Sequence, residues 1–315
     1  MTAAAQVVSG PVPTLDEAYA VCRAIARREA KNFYYSFVAL PEPRRNAICA
    51  IYAFMRKADD LSDDESVSLD QRRILMNEWL ESWHHARAGA ATSDPVFVAV
   101  RDAATRFRIP YSLLDELVAG TTMDLQVRPT DAPDTYATFA GLYRYCYLVA
   151  SVVGLVCIRI FGYSDEHAEK LAEETGIAFQ LTNILRDVKE DAERNRIYLP
   201  LEDLAAHHVS LDQLVHRDRP GITPEERALL KSIADRAESY YASAQQLLPL
   251  IDAESRPALW VLVSIYHSLL KRIVKADYDV FSKRASVPTI QKLTILLIGM
   301  TRMACIRLFG QVSSR

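Results

Sequence analysis

The sequence predicts an all-α fold on three grounds: helix-start signals recur along the chain, apolar residues recur at helical spacing between them, and hairpin turns are missing. Thr14-x-x-Glu17, Ser68-x-x-Gln71 and Thr223-Pro224-Glu225-Glu226 have the form of capping boxes. In such a box a hydroxyl and a later carboxylate or amide each take one orphan backbone N–H. Between these starts, residues such as Ala47, Ile48, Ile51, Tyr52 and Met55 repeat with the 3.6-residue period of a buried helix face. No Asn-Gly or Asp-Gly turn joins alternating short strands.

In chain order, Thr14 opens the first long helix after an N-terminal tail, residues 1–13, expected to be flexible. A second helix begins near Pro43 and ends around the aspartates at 59–64. Ser68, Asp94-Pro95 and Ser164-Asp165-Glu166 mark further starts. The apolar runs Tyr145–Ile158 and Leu293–Met300 fall short of the roughly 18 residues that span a bilayer and read as buried helices. Arg194–Asp218 reads as a long irregular excursion. About ten helices in one all-α domain, residues 14–310, are expected. The 50% apolar content of 315 residues suffices for a substantial core.

Several function classes drop out. A net charge of −3 gives no footing for non-specific nucleic-acid binding. None of the ten glycines stands two residues from another, which removes the G-x-G-x-x-G dinucleotide turn and the P-loop. The five cysteines form no C-x-x-C pair, and the N-terminus lacks a signal-peptide pattern, so a reducing cytoplasm is expected. His84-His85 and His207-His208 point to different sides of a helix and disfavour zinc.

Two acidic clusters carry the chemistry. In Arg56-Lys57-Ala58-Asp59-Asp60-Leu61-Ser62-Asp63-Asp64, helical spacing puts Asp59 and Asp63 on one face, with Asp60 and Asp64 beside them. Carboxylates at a helix C-terminus oppose the macrodipole by about 0.3–1 kcal/mol each, a penalty that a bound divalent cation reverses. In Gln180 through Asp191, Asn183, Asp187 and Asp191 form one stripe of oxygen ligands, with Gln180 a turn earlier, on an otherwise apolar helix. Oxygen-only ligands suit Mg²⁺, which takes one or two carboxylates plus substrate phosphates. Arg56 and Lys57 flank the first cluster; Arg186, Arg194 and Arg196 flank the second. Metal oxygens beside guanidinium forks are what a diphosphate leaving group requires.

At these residues the chain resembles the squalene/phytoene synthase family, the head-to-head isoprenyl synthases. The matching stretches are Asn32-Phe-Tyr-Tyr-Ser-Phe37, Ala50 through Asp60, Tyr143-Arg-Tyr-Cys-Tyr147 with Gly154, and Gln180 through Asp191 followed by Arg196-Ile-Tyr-Leu-Pro200. The resemblance implies a helical isoprenoid-synthase bundle with a central cavity. It implies Mg²⁺ ligands at Asp59, Asp63, Asn183, Asp187 and Asp191, and diphosphate or isoprene contacts at Tyr52, Arg56, Gln180, Arg186, Lys31 and Asn32. Tyr145 falls near the reacting carbons, Tyr266 near diphosphate, and either Lys283 or Arg284 supplies a C-terminal basic contact. The aromatic cluster Phe33, Tyr34, Tyr35, Phe37 and the small residues Ala150, Ser151 and Gly154 suit a prenyl tunnel, and Glu116 with Asp124 forms a third acidic pair.

The expected activity is Mg²⁺-dependent condensation of two farnesyl diphosphates to presqualene diphosphate, with NADPH for a reductive step to squalene. Phytoene synthesis from two geranylgeranyl diphosphates is the alternative. A non-catalytic assembly factor, a terpene cyclase and a prenyl diphosphate hydrolase are less favoured. A monomer with peripheral membrane contact for product release is expected.

Overall fold

A computed structural model describes residues 11–125 and 133–310, without the side chains of 31, 32, 124, 303 and 305–310. Residues 1–10 of the expected N-terminal tail therefore lie outside the described residues, as do the side chains of Lys31, Asn32 and Asp124. The chain forms two compact units, residues 1–126 and 127–315.

Among the described residues the first unit holds six α-helices, α1 (Leu15–Glu29), α2 (Lys31–Val38), α3 (Glu42–Asp63), α4 (Leu69–Arg87), α5 (Pro95–Arg106) and α6 (Tyr111–Thr122), followed by a 3-10 turn at Met123–Leu125. Thr14 and Glu17 complete the capping box expected at α1. At α4 Ser68 Oγ accepts from Gln71 N at 3.2 Å. Asp94 Oδ1 caps Val96 N at 2.8 Å, with Pro95 at the first helical position of α5, where its missing N–H costs nothing. The core is aromatic: Phe54 of α3 packs against Trp79 at 4.9 Å, Trp83 at 5.0 Å and Phe97 at 6.4 Å between ring centroids.

The second unit holds α7 (Phe139–Cys146), a π-helical turn (Tyr147–Ser151), α8 (Val152–Phe161), α9 (His167–Ala192), α10 (Leu201–Ala206), α11 (Leu211–Val215), α12 (Pro224–Leu250), α13 (Arg256–Lys275) and α14 (Thr289–Gly310). Asp134–Thr135 (β1) pairs in parallel with Arg196–Ile197 (β2), a two-residue ladder absent from the sequence expectation. The Arg194–Asp218 excursion is also more ordered than expected. It contains β2, α10 and α11, and Ser210 with Gln213 forms a complete capping box at α11.

Helix α9 runs through the unit, and a close approach fixes its neighbour. A Cβ on Gly176 would sit 2.5 Å from Ser151 Cα and 2.7 Å from Ser151 N. Ser151 Oγ donates to the Glu173 carbonyl at 2.6 Å. A Cβ on Gly154 would lie 3.0 Å from the Ala172 carbonyl oxygen. The small residues at 151 and 154, expected to leave room for a prenyl tail, instead let the π turn and α8 press against α9.

Two segments, Phe139–Phe161 and Arg256–Lys275, are long and apolar enough to cross a membrane, with 39% and 61% of their most apolar windows buried in the protein. Leu293–Met300 departs from its expected burial: Leu293 is 50% exposed and Leu297 63%.

Candidate active site

The first acidic cluster ends α3. The helix closes at Asp63 with no basic residue in its last turn, so carboxylates there face the negative end of the macrodipole. Asp59 is half-buried and Asp63 exposed. Asp64 lies beyond the helix, where it accepts from Ser66 N at 3.0 Å and from Ser66 Oγ, and these bonds hold its carboxyl below the usual range. The Arg56 guanidinium reaches Asp60 at 2.5 Å, while its buried Nε has no hydrogen-bond partner. Lys57, the other basic residue flanking the first cluster, is paired with the helix cap Asp94 at 2.7 Å. Tyr52 packs edge-on against Phe37 at 6.0 Å, and Phe37 against Tyr34 at 6.5 Å. Burial raises the Tyr52 phenol above its ordinary value.

The second cluster lies on α9. Asn183 Nδ2 donates to Gln180 Oε1 at 3.3 Å, and the buried Asn183 Oδ1 has no hydrogen-bond partner. Arg186 forks onto Asp187: Nε reaches Oδ1 at 2.8 Å and a second guanidinium nitrogen reaches Oδ2. Arg284 grips the same carboxylate through Nε at 2.9 Å and also reaches Glu190 at 3.3 Å. Of the two candidates, Arg284 is thus the basic residue that arrives at the cluster. Burial works against ionisation of Asp187, but Arg186 and Arg284 outweigh it and hold the carboxyl below the usual range. Asp191 responds oppositely. Burial, reinforced by the charge of Asp187, pushes it up to about 6 against the pull of Arg196 and Arg194. Arg186 is largely shielded from solvent, its side chain 19% exposed.

Aromatic groups border this stripe. Tyr266 of α13 stacks on Phe179 at 4.5 Å and hydrogen-bonds Asn183, while burial pushes its phenol up to about 12 against the pull of the Arg186 charge. Tyr145 stacks on Tyr198 at 4.8 Å with planes only 12° apart, and Tyr136 lies 5.6 Å from Tyr145. Tyr136 and Tyr198 had not been picked out from sequence, although Tyr198 sits within the Arg196-Ile-Tyr-Leu-Pro200 run. Arg196 itself is half-buried in β2 and helps line a small apolar void with Asp191, Ile184 and Val188.

Among the described residues, no three His, Cys, Asp or Glu side chains converge into a ready-made metal cage. The donor set still fits a hard cation that takes its remaining ligands from a substrate. It offers carboxylates on helical spacing, the orphaned oxygens Asn183 Oδ1 and Glu190 Oε2, and no histidine or cysteine within Gln180–Asp191. Histidine-free oxygen sites of this kind suit Mg²⁺ rather than zinc. Glu116 is half-buried on α6, and its proposed partner Asp124 lies outside the described side chains.

Comparison with known proteins gives this arrangement a context. The sequence pattern described as squalene/phytoene synthase matches residues 26–291. A 15-cis-phytoene synthase of Synechococcus elongatus is 35% identical over 307 residues, covering 93% of this chain and 96% of its own. A phytoene synthase of Mycobacterium tuberculosis is 34% identical, covering 89% and 90%. Among solved structures, a ligand-bound dehydrosqualene synthase superposes with a TM-score of 0.78 at 29% identity, covering 92% of this chain and 98% of its own. A squalene synthase of Alicyclobacillus acidocaldarius gives 0.75 at 26% identity, covering 84% and 96%.

Proposed function

Because this chain belongs to the squalene/phytoene synthase family, prenyltransferases that join two isoprenyl diphosphates head to head, we propose that it couples two geranylgeranyl diphosphates to phytoene. The observation that carries the choice of substrate is the near full-length likeness to enzymes named phytoene synthase. It favours the C20 substrate over the farnesyl diphosphate expected from sequence. The squalene-type reading stays second, supported by the likeness to dehydrosqualene and squalene synthase structures.

The proposed reaction balances without a reductant. One C20 diphosphate ionises, its C1 is attacked by the double bond of the other, and a proton is lost as a cyclopropane closes. The second diphosphate then leaves, the ring rearranges, and a second proton departs. Two diphosphates and two protons leave, whereas squalene would need a hydride in place of the second proton loss, which is the step NADPH would supply.

This chain's residues serve that sequence as follows. Asp59 and Asp63 on α3, and Asn183, Asp187 and Asp191 on α9, are the groups to hold Mg²⁺. Bound there, Mg²⁺ would neutralise diphosphate charge and so ease its departure. Arg186, Arg284 and Arg56 are guanidinium forks able to grip diphosphate oxygens in pairs, with the lone Nε of Arg56 an unused donor. Tyr266, whose phenol keeps its proton at neutral pH, donates a hydrogen bond without adding charge. The stacked rings of Tyr145, Tyr198 and Tyr136 present π faces that stabilise carbocations. Lys31 and Asn32 remain proposed phosphate contacts.

The test is a product analysis. Purified protein receives Mg²⁺ with geranylgeranyl or farnesyl diphosphate, each with and without NADPH, and the extracted hydrocarbon is identified. Phytoene formed without NADPH is expected. Turnover of farnesyl diphosphate alone, or release of diphosphate with no coupled hydrocarbon, overturns the proposal.

A further inference from the structure

One buried phenol ties together the three helices around the second cluster. Tyr241 of α12 is 1% exposed, and its ring meets two other helices. His267 of α13 stacks on it at 4.5 Å with planes 24° apart, and Phe179 of α9 lies 6.1 Å away. At its tip, the hydroxyl oxygen lies 3.0 Å from Oγ1 of the fully buried Thr182 on α9. Thr182 gives its single proton to the Ala178 carbonyl at 2.8 Å, so Tyr241 O–H donates and Thr182 accepts.

Helix α12 holds His267 a second time. Glu238, one turn before Tyr241, accepts from His267 Nε2 at 2.8 Å and 2.9 Å. The imidazole is therefore fixed to α12 at one face and one edge. Tyr266 precedes it, about 100° round α13. It is turned toward α9, where it stacks on Phe179 at 4.5 Å and hydrogen-bonds Asn183. Phe179, Thr182 and Asn183 stand at i, i+3 and i+4, so they share one face of α9. Tyr241 thus meets the α9 turn that carries Asn183 at two points and the α13 residue beside Tyr266 at a third. A phenylalanine ring would fill the same space. The hydroxyl adds a directional bond between buried groups, which fixes an orientation that apolar packing alone leaves tolerant of shifts.

We infer that Tyr241 is a positioning residue, which with His267 sets the approach of α13 to α9 and so holds the Tyr266 hydroxyl at Asn183 for contact with diphosphate. The inference rests on the proposed role of Tyr266, and the experiment separates the two. Tyr241→Phe, Tyr266→Phe and the double variant of the full chain are titrated by calorimetry with inorganic diphosphate in Mg²⁺, a probe that does not depend on prenyl chain length. Tyr266→Phe is expected to weaken binding at least tenfold, since it loses a hydrogen bond to a charged group. Tyr241→Phe is expected to weaken it at least threefold with the helical circular dichroism unchanged. In the double variant the change at Tyr241 is expected to add no further loss, because the hydroxyl it positions is gone. A role in packing alone would multiply the two losses instead. Multiplied losses, or a Tyr241→Phe protein that binds like wild type, overturn the inference while Tyr266 keeps its place. Wild type that binds no diphosphate, or Tyr266→Phe that binds like wild type, overturns the reading of Tyr266 and the inference with it. If Tyr241→Phe does not fold, Thr182→Val breaks the same bond from α9 and enters the same cycle with the same outcomes.

Discussion

Gly176→Ala separates two opposed physical effects by sign. In an exposed helix the change would stabilise the protein by about 0.8–1 kcal/mol, because alanine is the better helix former. Here the added methyl would lie 2.5 Å from Ser151 Cα, 2.7 Å from Ser151 N and 2.9 Å from Ala150 C. These are backbone atoms of the π turn, which no side-chain rotation moves aside. Overpacking of this kind costs about 1–3 kcal/mol, and contacts to backbone on one side place it toward the upper end. The net expectation is a loss of about 1–2 kcal/mol, accompanied by displacement of the Tyr147–Ser151 turn. Urea unfolding followed by circular dichroism, with the slope compared between variants, reads the difference. Gly154→Ala supplies the scale: its methyl meets one carbonyl oxygen at 3.0 Å, so a smaller loss is expected. A Gly176→Ala protein as stable as wild type or more so would mean that α9 and the π turn do not meet as described.

Three further outcomes follow from the α9 stripe and its surroundings. Arg186→Lys keeps the charge but loses the planar fork, so kcat/KM should fall at least tenfold, about 1.4 kcal/mol of transition-state stabilisation, with little change in unfolding midpoint; unchanged kinetics would remove Arg186 from diphosphate binding. Asp187→Asn should lower turnover at least a hundredfold, measured at saturating substrate, since it removes a proposed metal ligand and the shared anchor of Arg186 and Arg284. Asp191 has its carboxyl raised to about 6, so it carries a proton below that pH and must release it to bind a cation. Calorimetric titration with Mg²⁺ and inorganic diphosphate should therefore show affinity rising from pH 5 to 7.5, and a flat profile would exclude Asp191 as a ligand.

What was legible in the sequence was local. Capping at Thr14, Asp94 and Thr223 depends on residues within one turn, and each forms as expected. The spacing of Asn183, Asp187 and Asp191 follows from the helical period alone. What escaped depends on residues distant in the chain. That Lys57, flanking the first cluster, pairs with Asp94, the cap of another helix, is not visible in the sequence. Lys283 and Arg284 could not be separated until Arg284 was seen to reach Asp187. The small residues near 150 looked like space for a ligand because composition does not reveal that Gly176 fills that space with a neighbouring helix. Hydropathy likewise marked Leu293–Met300 as apolar without saying that its face is uncovered. The capping box Ser210-x-x-Gln213 was a local signal within a stretch taken as irregular.

Metal dependence tests the central claim most directly, because both acidic clusters are assigned to hold diphosphate through Mg²⁺. Protein freed of metal with EDTA and dialysed is given geranylgeranyl diphosphate, and hydrocarbon formation is followed as Mg²⁺ is restored. The account predicts no turnover without metal and full recovery in millimolar Mg²⁺, with Asp59→Asn and Asp187→Asn each failing to recover. Full turnover in metal-free buffer would contradict it.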